Sequence, residues 1–423
     1  MLEIQRIRRD KESIIEQLKV VRKVDLSETI NKLFILDEEK RDAQKLLDDQ
    51  SAKMNSISAQ IGQKFKEGNP EEANKLKLET TELKEKIKAL KANFILLEEE
   101  IRQLLYQIPN VPNSSVPAGA KDIDNEIVYE DTISKNDFDD FLPHWELCKK
   151  YDLIDFELGV KITGAGFPVY KGKGATLQRA LIQFFLNEAI KNGYNELMVP
   201  HLVNEASGYG TGQLPDKEGQ MYHITQEDLY LIPTGEVPIT NVYRNIILEA
   251  KDLPVKHVGY TPCFRREAGS YGKEVRGLNR LHQFDKVEIV QITNPAESYS
   301  TLENMVEYVE TLIKKLKLPL RKLKLCGGDL GFTSALTYDF ETYSAGQDKW
   351  LEVSSVSNFE TFQANRLKLR YRNENNNIQL AHTLNGSALA LPRIMASLLE
   401  INQTKDGILI PEVLVPYTGF KMI

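Results

Sequence analysis

Leucine returns at every seventh position from Leu76 through Leu83, Leu90 and Leu97 to Leu104, and Thr80, Ile87, Phe94, Ile101 and Ile108 run beside it as a companion series. Apolar residues sustained at this spacing predict a helix in a coiled coil. The preceding stretch answers with Leu26, Leu33, Lys40, Leu47, Met54 and Ile61, joined by Leu36, Ala43 and Ile57. Between the halves, Gly68 stops one helix and Asn69 caps the next, with Pro70 at its first position and Glu72 placed to close a capping box. The pattern predicts an antiparallel two-helix hairpin over about residues 27–107, and about 40 residues per helix at 1.5 Å each make an arm roughly 60 Å long. A coiled coil between two chains is the rival architecture; the break at the midpoint favours the hairpin.

Residues 108–117, IPNVPNSSVP, hold three prolines and cannot continue a helix. They separate an N-terminal domain, 1–112, from a second domain, 113–423. Beyond the linker helical and strand periods mix, giving an α+β chain. Residues 144–157 read as a short amphipathic helix, 159–175 as strands joined by glycine turns, and 177–191 as an apolar helix stopped by Asn192 and Gly193. Residues 196–199 then read as a strand running into Pro200. That helix and strand are apolar enough to bury each other or to meet another subunit.

Two further strand-like runs, 260–264 and 281–290, flank a polar loop holding Gly269, Gly272 and Gly277, which predicts a long-looped hairpin. On its second strand Phe284, Lys286 and Glu288 share one face, while Asp285, Val287 and Ile289 take the other. Alternation along 350–366 sets Glu352 and Ser354 on one side and Val353 and Ser355 on the other. Residues 231–241 bring Thr234, Gly235 and Glu236 to a strand end. Residues 382–400 pass from a strand through Asn385, Gly386 and Ser387 into a helix with Arg393 near its start, Pro392 leaving the first turn ambiguous.

A chain of 423 residues has room for two or three domains, and 41% hydrophobic with 27% charged residues is ordinary for a soluble protein. The first residues carry no signal-peptide run and no window is apolar enough to span a membrane, so a cytoplasmic protein is expected. Three scattered cysteines and six histidines without ligand spacing argue against disulfides and against a zinc site. A net charge of -7 excludes a general nucleic-acid binder, so any such contact needs a local basic surface. The hairpin loop is one: Arg265, Arg266, Lys273, Arg276 and Arg280 face only Glu267 and Glu274. Guanidinium groups present planar forks to phosphate or carboxylate oxygens. The glycines of 159–175 do not form a phosphate loop, lacking the GxxxxGK[ST] string.

Taken together and in order, these segments resemble the bacterial-type seryl-tRNA synthetases, class II aminoacyl-tRNA synthetases. FRREAGSYGKEVRGLNRLHQFDKVE is similar to class motif 2, NGSALALPR to motif 3, and the helix and strand ending at Pro200 to motif 1. PTGE and EVSSVSN are similar to seryl-specific signatures, and the N-terminal hairpin to the family's tRNA-binding arm. ALALPR departs from members that carry glycines and lack the proline.

The resemblance implies a six- or seven-stranded antiparallel sheet flanked by helices, and a homodimer. It implies that serine and ATP give seryl-adenylate and pyrophosphate, and that serine then passes to the 3′ end of tRNA(Ser); whether tRNA(Sec) is charged too is not readable from the sequence. By matching position, Arg265 would hold the α-phosphate and the serine carboxylate, and Arg393 the γ-phosphate, the two being the catalytic cations. Phe284 would stack the adenine, with Glu267 and the backbone near Leu281 reading its edge and Arg266 beside them. In the segment Glu352, Val353, Ser354 and Ser355, Glu352 and Ser355 would bind magnesium. Thr234, Gly235, Glu236, Arg265, Glu288 and Ser387 would receive serine. Arg276 and Arg280 would meet the acceptor end, and arm residues such as Lys53, Lys64, Lys75 and Lys86 would meet the long variable arm of a tRNA bound across the dimer. Membrane and DNA are not expected partners. The alternatives are a synthetase-like ligase with a non-tRNA acceptor, whose relatives tend to lack the arm, and a coiled-coil RNA-binding protein with a dead catalytic domain, which predicts damage at Arg265, Glu288, Glu352 or Arg393; all four are intact.

Overall fold

The computed structural model describes residues 1–133, 141–216, 219–266 and 276–423. These fall into two compact units, one of residues 2–16 with 25–109, the other of residue 1 with 17–24 and 110–423. Helix α1 (Ile4–Val20), interrupted by a non-helical Asp10, contributes residues to both.

In the smaller unit, α2 (Ser27–Lys66) and α3 (Pro70–Leu105) pack along each other as the predicted hairpin. Every residue of the two heptad series between Leu76 and Ile108 is buried or half-buried, as are Leu33, Leu36, Ala43 and Ile57 opposite. Lys40 occupies a seam position by laying its stem inward. Its ammonium reaches Glu98 at 2.9 Å and stands 5.0 Å from the Phe94 ring centroid. Asp37 is buried but takes a fork from Arg8, with contacts of 2.5 and 2.7 Å.

At the tip, Gly68 adopts φ +74°, a left-handed conformation that ends α2 at little steric cost. The Asn69 side chain accepts from the Glu72 N–H at 3.4 Å. Only that half of the expected capping box closes. The Asn69 N–H goes to the Lys64 carbonyl at 3.0 Å, and the Glu72 carboxylate to the Lys64 ammonium at 3.0 Å. Lys53 likewise pairs across the hairpin with Glu79 at 2.9 Å, whereas Lys75 and Lys86 are simply exposed.

The larger unit is built on an eight-stranded sheet. Its strands are β1 (Glu126–Glu130), β2 (Asn195–Glu196), β3 (Val255–Phe264), β4 (Gln283–Thr293), β5 (Leu320–Lys324), β6 (Leu336–Ser344), β7 (Lys349–Asn358) and β8 (His382–Ala390). They lie in the order β1-β5-β6-β7-β8-β4-β3-β2. All neighbours are antiparallel except the edge pair β2 and β3. The expected six or seven strands become eight: the strand read at 196–199 is only Asn195–Glu196, β2, at one edge, and β1, not read from the sequence, joins the other. Helices α4 (His144–Lys150), α5 (Phe156–Ile162), α6 (Gly172–Lys191), α7 (Glu205–Thr211), α8 (Glu236–Asn241), α9 (Ser298–Lys315), α10 (Phe362–Leu367), α11 (Leu391–Ile401) and α12 (Val415–Thr418) join this sheet in the unit, with three small sheets of two or three strands. Phe184, Phe185, Val287, Ile289, Met305, Phe340, Val353 and Leu398 share its main apolar core.

Two readings of the sequence are corrected. Residues 144–157 are not one helix: α4 ends at Lys150, and a left-handed Asp152 precedes a short strand and α5. Residues 159–175 hold a single short strand, Val169–Tyr170, between two helical ends, since α5 runs to Ile162 and α6 begins at Gly172. Two of the glycines taken for turns are there for close contact. A Cβ on Gly159 would stand 1.6 Å from the Phe167 carbonyl oxygen, and one on Gly174 would stand 2.2 Å from that of Leu153.

The linker is seated as well: Asn110 is buried, and its amide donates to the carbonyls of Thr333 and Phe359 at 3.0 and 2.8 Å. Arg22, within the same unit, donates to the carbonyls of Asn110, Leu330, Gly331 and Ser334. Its burial lowers the guanidinium to about 10. No helix among the described residues is long and apolar enough to cross a membrane.

Candidate active site

Strand β4 carries the predicted alternation. On one side Asp285 accepts from Gln178 of α6 and from the Tyr260 hydroxyl, both at 2.9 Å, and Val287 and Ile289 enter the core. The opposite side presents Phe284, Lys286 and Glu288, paired across β3 with Cys263, Thr261 and Gly259. Lys286 and Glu288 are both buried, their charged ends 2.6 Å apart, and the same ammonium donates to the Thr234 hydroxyl at 2.8 Å.

Thr234 and its neighbours lie where the strand Leu229–Leu231 gives way to α8. The Phe264 N–H binds the Ile232 carbonyl at 2.8 Å and the Arg265 Nε binds that of Pro233 at 3.3 Å, which brings this segment against the end of β3. Gly235 is the close-packed point: a Cβ there would meet Thr261 Oγ1 at 3.0 Å and Glu288 Cβ at 3.2 Å. Glu236 accepts from the Gln363 amide at 2.5 Å, and Gln363 in turn accepts from the Thr383 hydroxyl at 2.7 Å. Burial, and after it the Glu288 carboxylate, push Glu236 up to about 7; the Gln363 bond, Lys286 and a bond from Asn385 pull the other way. The Arg265 guanidinium stands 5.3 Å from the Phe284 ring centroid. Arg266 is exposed and its N–H binds the Gln220 carbonyl at 2.8 Å.

A second group forms on β7. Glu352 pairs with Glu341 but Ser354 with Phe340, so Val353 is one extra residue in the strand. This bulge overturns the strict alternation expected there. Val353 and Ser354 both turn inward: Val353 lies in the core, and the Ser354 hydroxyl donates to the Ser387 carbonyl at 2.5 Å. Glu352 and Ser355 come to the same side, Ser355 Oγ being 3.4 Å from Glu352 Oε1 and 2.6 Å from Asp339 Oδ1. Burial, then Glu352, hold Asp339 well above the usual carboxylate range.

Arg393 sits in the first turn of α11, which starts at Leu391 with Pro392 in that turn, where a missing N–H costs nothing. It donates to the carbonyls of Glu352 at 2.8 Å and Asn279 at 3.1 Å, and is 3.4 Å from Glu352 Oε2. The two groups meet at Ser387, which lies opposite Glu288 in the pairing of β8 with β4 and accepts from Ser354.

Leu281 is buried in the core, so only its main chain is available to a ligand. Arg276 lies 4.6 Å from the Trp145 ring centroid and 3.4 Å from Glu146. Arg280 is exposed. Glu267, Gly269, Gly272, Lys273 and Glu274 fall outside the described residues. Lys286, Asn385, Gln363 and Asp339 were not singled out as site residues from sequence. For Lys286 the signal was present, since it shares the pleat face of Phe284 and Glu288, and Asn385 heads the NGSALALPR string; nothing local marks Gln363 or Asp339.

Residues 1–112 match the seryl-tRNA synthetase N-terminal domain family and residues 222–402 the class II core domain of the G, H, P, S and T tRNA synthetases. The chain is 49% identical to the serine-tRNA ligase of Salinibacter ruber, covering 100% of this chain and 99% of that one, and 44% identical to that of Chlorobaculum parvum, covering 100% of each. Among solved structures, seryl-tRNA synthetase from Pyrococcus horikoshii complexed with ATP superposes with a TM-score of 0.92 at 32% identity, covering 100% of this chain and 99% of that one. With relatives this similar along its full length, and with an arm and a core that each match on their own, the chain belongs to the seryl-tRNA synthetase family.

Proposed function

We propose that this serine-tRNA ligase performs both of its steps at the Arg265, Glu288 and Arg393 site. The serine carboxylate, ionised at neutral pH, attacks the α-phosphorus of ATP in line; the new oxygen–phosphorus bond gives seryl-adenylate, and pyrophosphate leaves with the electron pair of the broken bond. No general base is needed for that attack. Arg265 holds the α-phosphate and the serine carboxylate, and Arg393 the γ-phosphate. Phe284 stacks the adenine, and the main chain of Leu281, with Arg266 and Glu267, completes the nucleotide contacts. In the second step a hydroxyl of the 3′-terminal adenosine attacks the seryl carbonyl carbon. The new ester bond replaces the carbon–oxygen bond of the anhydride, AMP leaves with its electron pair, and the hydroxyl proton passes to the leaving phosphate or to water.

Thr234, Glu236, Glu288 and Ser387 receive the ammonium and hydroxyl of serine, with Gly235 keeping the floor clear. A substrate ammonium beside Glu236, whose carboxyl is pushed up by burial, favours its ionised form, while Lys286 compensates the charge of Glu288. Rejecting alanine then needs no editing, because the groups built around a hydroxyl would be left unpaired, a discrimination of roughly 10⁴ to 10⁵.

The hard oxygens of Glu352 and Ser355, 3.4 Å apart on one side of β7, fit a magnesium ion. When bound it would neutralise triphosphate charge. Among the described residues no group of three or more His, Cys, Asp and Glu is arranged for a metal, so phosphate and water would supply the remaining ligands. We further assign a cytoplasmic homodimer that binds tRNA(Ser) by laying the long variable arm on the hairpin of the other subunit, Lys75 and Lys86 being available, and the acceptor end near Arg276 and Arg280.

The observation that supports this reading is geometric: the Arg265 guanidinium stands over the Phe284 ring and bonds the Pro233 carbonyl, and the next residue, Thr234, takes the Lys286 ammonium that pairs with buried Glu288. The test is ATP–pyrophosphate exchange with each of the twenty amino acids, on the full chain and on a chain with residues 27–107 replaced by a short splice. Serine alone is expected to support exchange in both, and only the full chain to charge tRNA. Equal stimulation by alanine would refute the specificity, and normal charging without the arm would reduce the arm to structure.

A further inference from the structure

The return limb of the basic loop is anchored by a buried pair that the mechanism above leaves unused. His144, the first residue of α4, and Glu400, near the end of α11, have fully buried side chains. Glu400 Oε1 lies 2.7 Å from His144 Nδ1 and accepts the His144 main-chain N–H at 2.8 Å. On the other side of the ring, Nε2 accepts the Leu278 N–H at 2.8 Å. A nitrogen that accepts a backbone N–H carries no proton, so the imidazole is neutral with its proton on Nδ1, directed at the carboxylate. Glu400 is itself fixed: its Oε2 accepts the Ser344 hydroxyl and, at 3.0 Å, the Gly346 N–H.

The residues around Leu278 are held by the same turn of α4. Gly277 has φ +68°, and a Cβ on it would stand 2.2 Å from His144 Nε2. Arg276 lies over Trp145 and beside Glu146. After Leu278 comes Asn279, whose carbonyl takes the Arg393 Nε and whose amide donates to Gln347 Oε1 at 2.8 Å. A continuous path of hydrogen bonds and the backbone of two residues therefore runs from Glu400 through His144, Leu278 and Asn279 to Arg393. The arginine is aimed by two carbonyls, one from β7 and one from this limb.

We propose that His144 and Glu400 are positioning residues for adenylation, setting the Asn279 carbonyl and with it the aim of Arg393 at the outer phosphates of ATP. The inference rests on the reading of Arg393 as a phosphate-holding group. It predicts a split that a purely structural role would not produce: the KM for ATP moves and the KM for serine does not, since the serine groups hang from β4, β8, the start of α8 and the end of β3, where Arg265 is held by the Pro233 and His282 carbonyls and not by Asn279.

The test measures serine-dependent exchange for the full-length enzyme and for His144→Leu, His144→Gln and Glu400→Gln, with thermal melting of each. His144→Leu is expected to raise KM for ATP by about tenfold to a hundredfold, the scale of a misplaced contact group, with KM for serine within about twofold. His144→Gln, whose amide can donate to Glu400 and accept from Leu278, is expected to recover most of the loss. A folded His144→Leu with unchanged KM for ATP, or with both KM values raised alike, would overturn the proposal. Where His144→Leu does not fold, Glu400→Gln decides by the same split, which is expected in the same direction. Arg393→Ala in the otherwise native chain separates the two claims: unchanged ATP kinetics there would sink the reading of Arg393 itself, whereas impaired ATP kinetics together with no split in the His144 and Glu400 variants would sink only this inference.

Discussion

Arg265→Ala is expected to lower serine-dependent ATP–pyrophosphate exchange by roughly 10²- to 10³-fold, about 3 to 4 kcal/mol of transition-state stabilisation, while leaving the melting temperature nearly unchanged. The guanidinium is held on one edge by the Pro233 carbonyl and stands over Phe284, so it is already oriented before substrate arrives. The main-chain bond from the Arg265 N–H to the His282 carbonyl, 2.9 Å, does not depend on the side chain and survives the substitution. Arg265→Lys is not expected to rescue, because a point charge cannot span two oxygens as a planar fork does. A loss below about fivefold in kcat/KM, with the fold intact, would move the catalytic cation elsewhere.

Glu288→Ala is expected to cost both activity and stability. Its partner Lys286 is buried, and removing one member of a buried pair strands the other charge, an effect of about 3 to 5 kcal/mol. The Thr234 hydroxyl, 2.8 Å from the ammonium, is neutral and compensates only in part. The double variant Lys286→Met with Glu288→Ala separates the two losses: chemical denaturation should recover most of the stability, and exchange should stay abolished. Recovery of exchange together with stability would show that Glu288 serves the fold and not the substrate.

How far these positions could be read from sequence depends on whether their geometry is periodic. The arm was legible because a heptad seam is a one-dimensional signal, and even Lys40 in that seam only hides its role in a cross-helix pair. Strand β4 was legible for the same reason, its two-residue period carrying straight into Phe284, Lys286 and Glu288. Helices α5 and α6 were partly misread because Gly159 and Gly174 answer to a carbonyl oxygen of another segment, a constraint absent from their own neighbourhood. Gln363, Asp339 and the His144 with Glu400 pair were missed on similar grounds: partners separated by tens to hundreds of residues meet only once the sheet is assembled.

The added residue at Val353 bears on how such a site is compared between chains. Counting odd and even positions along that segment would nominate Ser354, the hydroxyl whose proton goes to a neighbouring peptide, and pass over Ser355, which stands beside two acids. Equivalence here is decided by cross-strand partner, Asp339 facing Ser355 and Phe340 facing Ser354, so an alignment gap moved by one place would exchange a polar wall for a greasy one without altering the apparent identity score.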